Sequence, residues 1–382
     1  MVSPPNRKIA EIECLRGLAA ACTVLNHMLF GFLPLRMNPL LIYLRLHTQF
    51  DFGVDIFFVI SGFVIMRTLM ARVPRWSGPT FWRSVYAFWR RRAWRLYPAA
   101  WLCIALGLAL SWVYSQSGFD YFASFETTLA DSVAAFFQYY NFYLIGCFPS
   151  RTCGTNQVYW SLSLEEQFYF LFPFVLWLSR RHLPKILLAA LFLQLLWPRP
   201  LHSWLFYVRS DGFIVGILLA IAHAQSRLAN WEPCFMQHGA LRRPVLIALF
   251  LLAPCIGGYV ALGSYAQTLF TVLASVLVYL ASFDRGYLLR NKWLTGFLVW
   301  LGARSYSVYL LHLLAFGLTV QLLPQLVSTA MVPWVVAHQN CVLIGVALVF
   351  TLVLSEAAYR WLEKPLLAYG RRREAGAAAA SV

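Results

Sequence analysis

Long apolar segments separated by short polar ones repeat along nearly all of this chain of 382 residues. Ten of the segments approach the ~20 apolar residues that a helix needs to cross a bilayer, since tilt or snorkelling accommodates the shorter ones. They cover residues 15–35, 53–71, 96–115, 164–180, 184–198, 203–223, 244–262, 264–283, 298–322 and 339–361. The pattern predicts an all-α, polytopic membrane protein with about ten transmembrane helices.

One more apolar segment, residues 129–145, is interrupted by Asp131, Gln138 and Asn141. We interpret it as a helix that lies on the membrane surface or dips into the bilayer. The longer hydrophilic stretches predict an internal loop, an external segment and a second internal loop, at residues 66–95, 116–163 and 224–243.

The domain organisation predicted from this pattern is simple. Residues 1–370 are expected to form one membrane domain, without an appended soluble module and without the internal repeat of inverted-topology transporters. Residues 371–382 begin with three arginines and are predicted to form a basic, disordered tail. The first apolar segment lacks a clear small-residue cleavage site, so we expect it to be retained.

Composition and charge place the chain in a membrane. Sixty per cent of its residues are hydrophobic and 12% are charged, which gives more apolar surface than a soluble domain could bury. With the amino terminus inside, 26 of the 31 Lys and Arg residues lie on the internal side and five on the external side. An eleventh span would invert this asymmetry. Both termini are therefore predicted to be cytoplasmic, and the net charge of +16 does not indicate nucleic-acid binding.

Two ionisable side chains, Arg16 and His27, lie in the first apolar segment. Eleven steps of about 100° bring them within roughly 20° of one another on an ideal helix, about 16 Å apart along its axis. An ionisable group at this depth costs on the order of 2.5–3.5 kcal/mol, so it usually faces a bundle interior or a polar cavity. The spacing predicts chemistry inside the membrane, although His27 could instead hydrogen-bond between helices for packing.

Six sequence features follow one another in a fixed order. They are the Arg16-to-His27 spacing, FGVDIFFVISGF (Phe52–Phe63), RRRAWRLYP (Arg90–Pro98), YWSLSLEEQFYFLFP (Tyr159–Pro173), ARSYSVYLLH (Ala303–His312) and YRWLEKP (Tyr359–Pro365). Together they resemble the membrane-bound acyltransferase-3 family. The resemblance extends from about Arg7 to Pro365. It is closest to the stand-alone branch, rather than to members fused to an extracytoplasmic esterase-like domain.

This resemblance implies a multi-pass O-acyltransferase of the bacterial inner membrane. Its donor would be cytoplasmic acyl-CoA, with acetyl as the implied acyl group, and its acceptor a surface glycan, an exopolysaccharide, lipopolysaccharide or another lipid-linked saccharide. A neutral imidazole at His27 could take the hydroxyl proton or carry the acyl group transiently. Direct transfer and an acyl-histidine intermediate both remain open.

Donor binding is predicted for three arginines near the cytoplasmic side. Arg92 and Arg95 share one helical face, and their guanidinium groups suit the phosphates of coenzyme A. Membrane anchoring by the same basic cluster is the alternative. Arg16 could contact the donor phosphates or pair with a buried carboxylate, and its role is open.

Carboxylates and an aromatic side chain are predicted at the external mouth of the fourth span. They would therefore lie on the opposite side of the membrane from the arginines. The family pattern assigns the functional carboxylate to Glu165, which could orient His27, raise its basicity or bind acceptor hydroxyls. Glu166 is predicted to complete a capping box with Ser163. Trp160 could stack on a sugar face or belong to an interfacial aromatic belt.

Further polar residues inside the spans are candidates for the acceptor side. Asp55 could partner His27 or a cation, whereas the element Ser61–Phe63 is expected to allow close helix approach. Arg209 and Asp211 could form an intramembrane pair that lines the acceptor site, or could neutralise each other. His312 fits the family pattern, and a structural and a functional role are equally compatible with it.

The cysteine spacing predicts a possible disulfide, whereas no spacing predicts a metal site. Cys147 and Cys153 lie in the external segment and could form a disulfide there, although spacing alone leaves the pairing open. The sequence has no metal-ligand spacing, phosphate-cradling glycine loop or Gly-x-Ser-x-Gly motif, so no metal is expected.

Two alternative functions remain at this point. Many spans with buried ionisable residues also describe a proton-coupled transporter or exporter. The missing repeat and the cytoplasmic arginines favour the acyltransferase. An acyltransferase that acts on a small secreted molecule, such as a macrolide, would differ only in its acceptor.

Overall fold

A computed structural model describes residues 8–33, 39–72, 78–114, 121–150, 152–200, 203–225, 227–258, 263, 265–328 and 331–370. Over these ranges the chain forms helices joined by turns and loops, without a strand. The all-α prediction is thus confirmed. The basic tail predicted for residues 371–382 lies outside the described residues.

Sixteen helices follow one another along the described chain. They are α1 (Ala10–His27), α2 (Pro39–His47), α3 (Phe52–Arg72), α4 (Pro79–Tyr114), α5 (Phe125–Phe136), α6 (Tyr140–Ser150), α7 (Tyr159–Ser179), α8 (Leu183–Leu196), α9 (Trp204–Tyr207), α10 (Asp211–Ala224), α11 (Gly239–Gly258), α12 (Ala266–Ser282), α13 (Lys292–Ala303), α14 (Ser305–Leu326), α15 (Val332–Ala337) and α16 (Gln339–Ala358). Two π-helical segments, Met28–Phe32 and Tyr359–Glu363, continue α1 and α16.

Six helical stretches among the described residues are long and apolar enough to cross a membrane. They are Ala10–Phe32, Phe52–Ala71, Pro79–Tyr114, Trp204–Ala224, Ser305–Leu326 and Gln339–Gly370. Two shorter apolar helices, α8 and α12, coincide with two further predicted spans. The polytopic prediction is confirmed, and the number ten stays a prediction.

Two predicted spans are interrupted where an arginine occurs. The segment predicted at 298–322 breaks at Arg304, whose guanidinium lies 4.5 Å from the ring centroid of Trp300 and donates to the Trp300 carbonyl. The segment predicted at 203–223 breaks between α9 and α10, close to Arg209. Hydropathy averaged over a window does not detect such breaks, because one polar residue changes the mean only slightly.

The internal loop predicted at 66–95 is largely helical. Helix α3 continues to Arg72, and α4 begins at Pro79 and extends for 36 residues. An α-helix of that length spans about 54 Å, well beyond the ~30 Å hydrocarbon thickness. The basic residues of this region therefore belong to a helix that is long enough to extend past the hydrocarbon. The sequence pattern predicted a loop there.

The segment predicted as one surface helix at 129–145 forms two helices, α5 and α6. Gln138, which lies between them, adopts a positive φ of 59° outside the helical region. Asp131 is fully buried and accepts hydrogen bonds from the Tyr140 hydroxyl and, at 2.8 Å, from the backbone N–H of Asn156. Burial raises the pKa of the Asp131 carboxyl to about 6.

The predicted pairing of Cys147 with Cys153 is confirmed. Their Cα atoms lie 5.0 Å apart and the two sulfur atoms are bonded, which closes the loop that follows α6.

The described chain divides into two compact units. One comprises the described residues up to 26 together with 43–85 and 168–305, and the other comprises 27–42, 86–167 and the described residues from 306 onward. We refer to them as the first and the second unit.

Close backbone contact holds the helices of the first unit together. A Cβ atom on Gly62 of α3 would overlap the carbonyl oxygen of Phe213 of α10, and one on Gly216 would overlap the carbonyl oxygen of Val59. Small residues are enriched where helix backbones approach closely inside membranes. The close approach expected from Ser61–Phe63 is therefore confirmed.

Tyrosine hydroxyls bonded to backbone carbonyls tie the helices of the second unit together. Tyr159 of α7 donates to the carbonyl of Ala100 in α4, and Tyr306 of α14 donates to the carbonyl of Leu96, both at 2.6 Å. Each of these bonds satisfies a buried hydroxyl without using a second side chain.

The glycine contacts of the first unit generate a stability prediction. The variant Gly62→Ala should lower the free energy of unfolding by about 1–3 kcal/mol, because the added methyl meets backbone atoms that cannot rotate away. Thermal unfolding of the purified protein in detergent measures the effect. Gly345→Ala in α16 is the matched control, since a Cβ there meets no atom within 4 Å. Equal melting temperatures for the two variants would show that the α3–α10 contact does not limit stability.

Candidate active site

His27 lies at the end of α1, directly before the π-helical segment Met28–Phe32, and its side chain is partly exposed. Its Nδ1 atom is 2.7 Å from Nε2 of His312 on α14, and both side chains belong to the second unit. The two rings are within 9° of parallel with centroids 5.0 Å apart. Because the nitrogen distance is shorter than any stacking distance, the rings meet edge to edge through a hydrogen bond. The histidine pair is the centre of the candidate site.

Aromatic rings fix the orientation of His312, which is fully buried. The rings of Tyr309 and Phe316 meet it edge-on, with centroid distances of 6.1 and 5.6 Å. Phe316 in turn packs against Phe32 of the π-helical segment at 4.6 Å. Positions 309, 312 and 316 share one face of α14, so a single helix face presents the whole aromatic column.

A hydroxyl contact links this column to α7. The hydroxyl oxygens of Ser161 and Tyr309 lie 2.5 Å apart, and both residues are buried. Glu165 follows Ser161 by one helical turn and therefore lies on the same side of α7. The histidine pair and the acidic turn of α7 are thus connected through Tyr309.

An ion pair joins two of the residues predicted for opposite sides of the membrane. Nη2 of Arg92 on α4 lies 3.3 Å from Oε1 of Glu165 on α7, and both side chains are largely buried. Groups in direct contact cannot lie at opposite mouths of a span, so that prediction is wrong. The relative depth of α4 and α7 along their axes could not be predicted, because nothing in the sequence determines how far one helix is shifted against another.

The neighbouring carboxylate, Glu166, has a tertiary partner rather than a cap. The hydroxyl of Tyr97 donates to its Oε2 at 3.2 Å. Helix α7 begins at Tyr159, so Ser163 lies inside it, and its hydroxyl accepts from the backbone N–H of Tyr140. The capping-box prediction for Ser163 and Glu166 is therefore wrong.

The remaining candidates lie on α1, α4 and α7. Arg16 lies on α1 with His27, and its Nη1 is 3.3 Å from Oε1 of Glu13 one turn earlier. Arg95 lies on α4, one turn after Arg92. Trp160 lies in the first turn of α7.

The acceptor-side candidates of the first unit form a buried cluster with pairings that differ from those expected. Arg209 pairs with Asp55 at 3.2 Å, and Asp211 pairs with Arg199 at 2.5 Å. The hydroxyl of Thr271 lies within 3.2 Å of both carboxylates. The expected Arg209–Asp211 pair is wrong because the helix break before α10 turns the two side chains toward different partners. Asp55, expected to partner His27 or a cation, has the guanidinium of Arg209 as its partner.

Three residues of these sites were missed or undervalued. Glu363 is 4% exposed, lies in the second π-helical segment and accepts a hydrogen bond from Ser307. The sequence signal of Glu363 is the motif Tyr359–Pro365, and π-helical turns are frequent at functional sites. Arg199 is one of the five basic residues predicted on the external side, and His312 has only its family motif as a signal.

No group of three or more His, Cys, Asp or Glu side chains that could hold a metal ion occurs among the residues that the structure describes.

Comparison with known proteins supplies the family. The Acyl_transf_3 profile, described as an acyltransferase domain, matches residues 9–359. A putative peptidoglycan O-acetyltransferase, YrhL of Bacillus subtilis, is 28% identical over 84% of this chain and 51% of its own length. The peptidoglycan O-acetyltransferase OatA of Listeria monocytogenes is 25% identical over 94% of the chain and 56% of its own length. The O-acetyltransferase OatA of Staphylococcus aureus is 24% identical over 82% and 52%.

The chain spans about half the length of these curated relatives. No solved structure matches it. The family profile nevertheless covers most of the chain, including the helices that carry the histidine pair, the Arg92–Glu165 pair and the buried cluster of the first unit. The protein therefore belongs to the Acyl_transf_3 family of acyltransferases.

Proposed function

We propose that the protein is a membrane O-acyltransferase that moves an acetyl group from cytoplasmic acetyl-CoA to a hydroxyl of a cell-envelope glycan. The observation that carries this proposal is His27, an imidazole held through Nδ1 whose Nε2 makes no hydrogen bond within the described part of the chain. An imidazole is suited to proton transfer near neutral pH. The relatives that act on peptidoglycan favour a glycan acceptor over a small secreted molecule.

The step assigned to His27 is general base catalysis. Nε2 takes the proton of the acceptor hydroxyl as its oxygen attacks the thioester carbonyl carbon. The carbon–sulfur bond then breaks, and the leaving thiolate recovers the proton from the imidazolium as coenzyme A thiol. The products are the acetyl ester and free coenzyme A, and the histidine returns to its neutral form. If the acetyl group first rests on His27, the same nitrogen would be the nucleophile.

Donor binding is assigned to the basic face of α4. Arg92 and Arg95 lie one turn apart, and guanidinium groups make strong bidentate contacts to phosphate. Glu165 holds the guanidinium of Arg92, and we assign it the role of orienting that arginine toward the donor. Arg16, held in the same way by Glu13, is a further candidate for donor contact.

We assign the acceptor side to four candidate residues. Trp160 is retained as a candidate for stacking on a sugar ring. Asp55, Arg209 and Asp211 are retained as candidates that line an acceptor site, although ion pairing inside the first unit gives each a structural role as well. The bacterial cytoplasmic membrane is the proposed location, because the donor is cytoplasmic and the acceptor lies outside.

The first prediction concerns His27. Membranes that carry the wild type should transfer labelled acetyl from acetyl-CoA to purified glycan, and His27→Ala should reduce the rate by about 10²- to 10⁴-fold because the base is lost. Scintillation counting of the glycan at equal protein expression measures the transfer. His338→Ala, which changes an exposed histidine, should leave it unchanged.

Equal labelling by wild type and His27→Ala would contradict the proposed mechanism. Accumulation of an unmodified solute without acetyl transfer would support the transporter alternative.

The second prediction concerns the donor. Arg92→Ala should raise the KM for acetyl-CoA roughly tenfold or more, because a charge-assisted contact to phosphate is worth about 1.5–3 kcal/mol. Steady-state kinetics with purified protein measures this change. Arg90→Ala removes the same charge from the opposite side of α4, about 200° around the helix axis, and should change KM little.

A truncated donor provides the internal control for this experiment. Acetyl-pantetheine lacks the nucleotide phosphates, so wild type and Arg92→Ala should use it equally well. An equal defect with both donors, or equal effects of the two arginine substitutions, would show that Arg92 does not bind phosphate.

A further inference from the structure

A continuous hydrogen-bond chain connects a backbone carbonyl to His27. Nδ1 of His312 lies 3.1 Å from the carbonyl oxygen of Val308, and its Nε2 lies 2.7 Å from Nδ1 of His27. A carbonyl oxygen can only accept a hydrogen bond, so Nδ1 of His312 must carry a proton. A neutral imidazole has one N–H, and Nε2 of His312 is therefore an acceptor.

The proton count then determines the state of His27. Since Nε2 of His312 accepts, Nδ1 of His27 must donate, and its single proton lies there. Nε2 of His27 is left with its lone pair. The reverse order would need a cationic His312, whose charge would be fully buried with only a carbonyl and a neutral imidazole as hydrogen-bond partners.

The surroundings of His312 keep its Nδ1 as the donor and its Nε2 as the acceptor. A flip of its ring would place carbon atoms against the Val308 carbonyl and against His27, and would lose both hydrogen bonds. Tyr309 and Phe316 pack edge-on against the ring and restrict its rotation. The helix that carries the Val308 carbonyl also carries His312, so the donor and acceptor move together.

We propose that His312 is a positioning residue, which holds His27 in the tautomer with its proton on Nδ1 and so keeps Nε2 ready to accept the proton of the acceptor hydroxyl. This deepens the proposed function and rests on it. When His27 becomes an imidazolium, its Nδ1–H still donates to His312, now as a charge-assisted bond. The arrangement serves base catalysis and an acyl-histidine intermediate alike, because both use the same lone pair.

Two substitutions of equal length separate positioning from packing. His312→Gln retains a carbonyl oxygen that reaches the place of Nε2, whereas His312→Met fills a similar volume without a strong acceptor. His312→Met should lower kcat by about 10²- to 10⁴-fold, the range expected when a base is lost or held in the wrong tautomer. His312→Gln should retain kcat within about tenfold of wild type. The KM for acetyl-CoA should stay within about twofold in both variants.

The outcomes separate this proposal from the function on which it rests. An active His27→Ala would overturn the function itself. An inactive His27→Ala together with equal kcat values for His312→Gln and His312→Met would overturn only the positioning role, whether both were active or both impaired. If His312→Met does not fold, His312→Asn replaces it, because its shorter amide reaches only the place of Nδ1 and should be as impaired in kcat.

Discussion

A polar side chain in an apolar interior must find a partner within the protein, and this constraint accounts for several of the contacts between helices of this chain. His27 is bonded to His312, Arg209 to Asp55 and Arg92 to Glu165. Each pair joins helices that are distant in sequence but belong to the same unit. The contact that satisfies the polar groups therefore also holds those helices together. An isolated member of any pair would leave a buried donor, acceptor or charge uncompensated, at a cost of several kcal/mol for a charge.

The two kinds of pair have different consequences for function. Opposite charges such as Arg209 and Asp55 neutralise each other, and this ion pair has a structural role within the first unit. The histidine pair is different because an imidazole has two nitrogens. Nδ1 of His27 satisfies the structural requirement through His312, and in the tautomer that we propose Nε2 keeps a lone pair. The π-helical segment that follows His27 adds an aromatic side chain, Phe32, to the column around this pair.

The ion pair on α4 and α7 meets the same requirement. Glu165 lies 3.3 Å from the guanidinium of Arg92, so this charge can be largely buried without being unpaired. The donor-binding role that we propose for Arg92 starts from this pair, because the carboxylate holds the guanidinium in one place.

The sequence predicted the elements better than the contacts between them. Hydropathy located the apolar helices, and helical periodicity placed Arg16 and His27 together on α1, because both depend on local order. The partners could not be predicted in this way. His312 lies 285 positions from His27, and only tertiary packing brings them together. Arg209 and Asp211 are close in sequence, which suggested a pair, yet the helix break between them directs the two side chains elsewhere.

The helix breaks themselves show a second limit. An arginine within an apolar segment changes a hydropathy average little, and α13 nevertheless ends directly before Arg304, whose side chain donates to the Trp300 carbonyl. One π-helical segment follows His27 and the other contains Glu363. A π-helical turn differs from an α-helical turn by one residue, so the 3.6-residue periodicity of the sequence does not predict it.

The tautomer of His27 decides whether His312 positions it, and ¹⁵N nuclear magnetic resonance of the histidine-labelled protein in lipid measures this tautomer. The protein has eight histidines, so His27→Gln identifies the resonances of His27 by their loss. We expect a protonated Nδ1 and an unprotonated Nε2 in the resting protein. A proton on Nε2 with a bare Nδ1 would contradict the positioning role, because His27 would then have no lone pair at the nitrogen that is assigned to the chemistry.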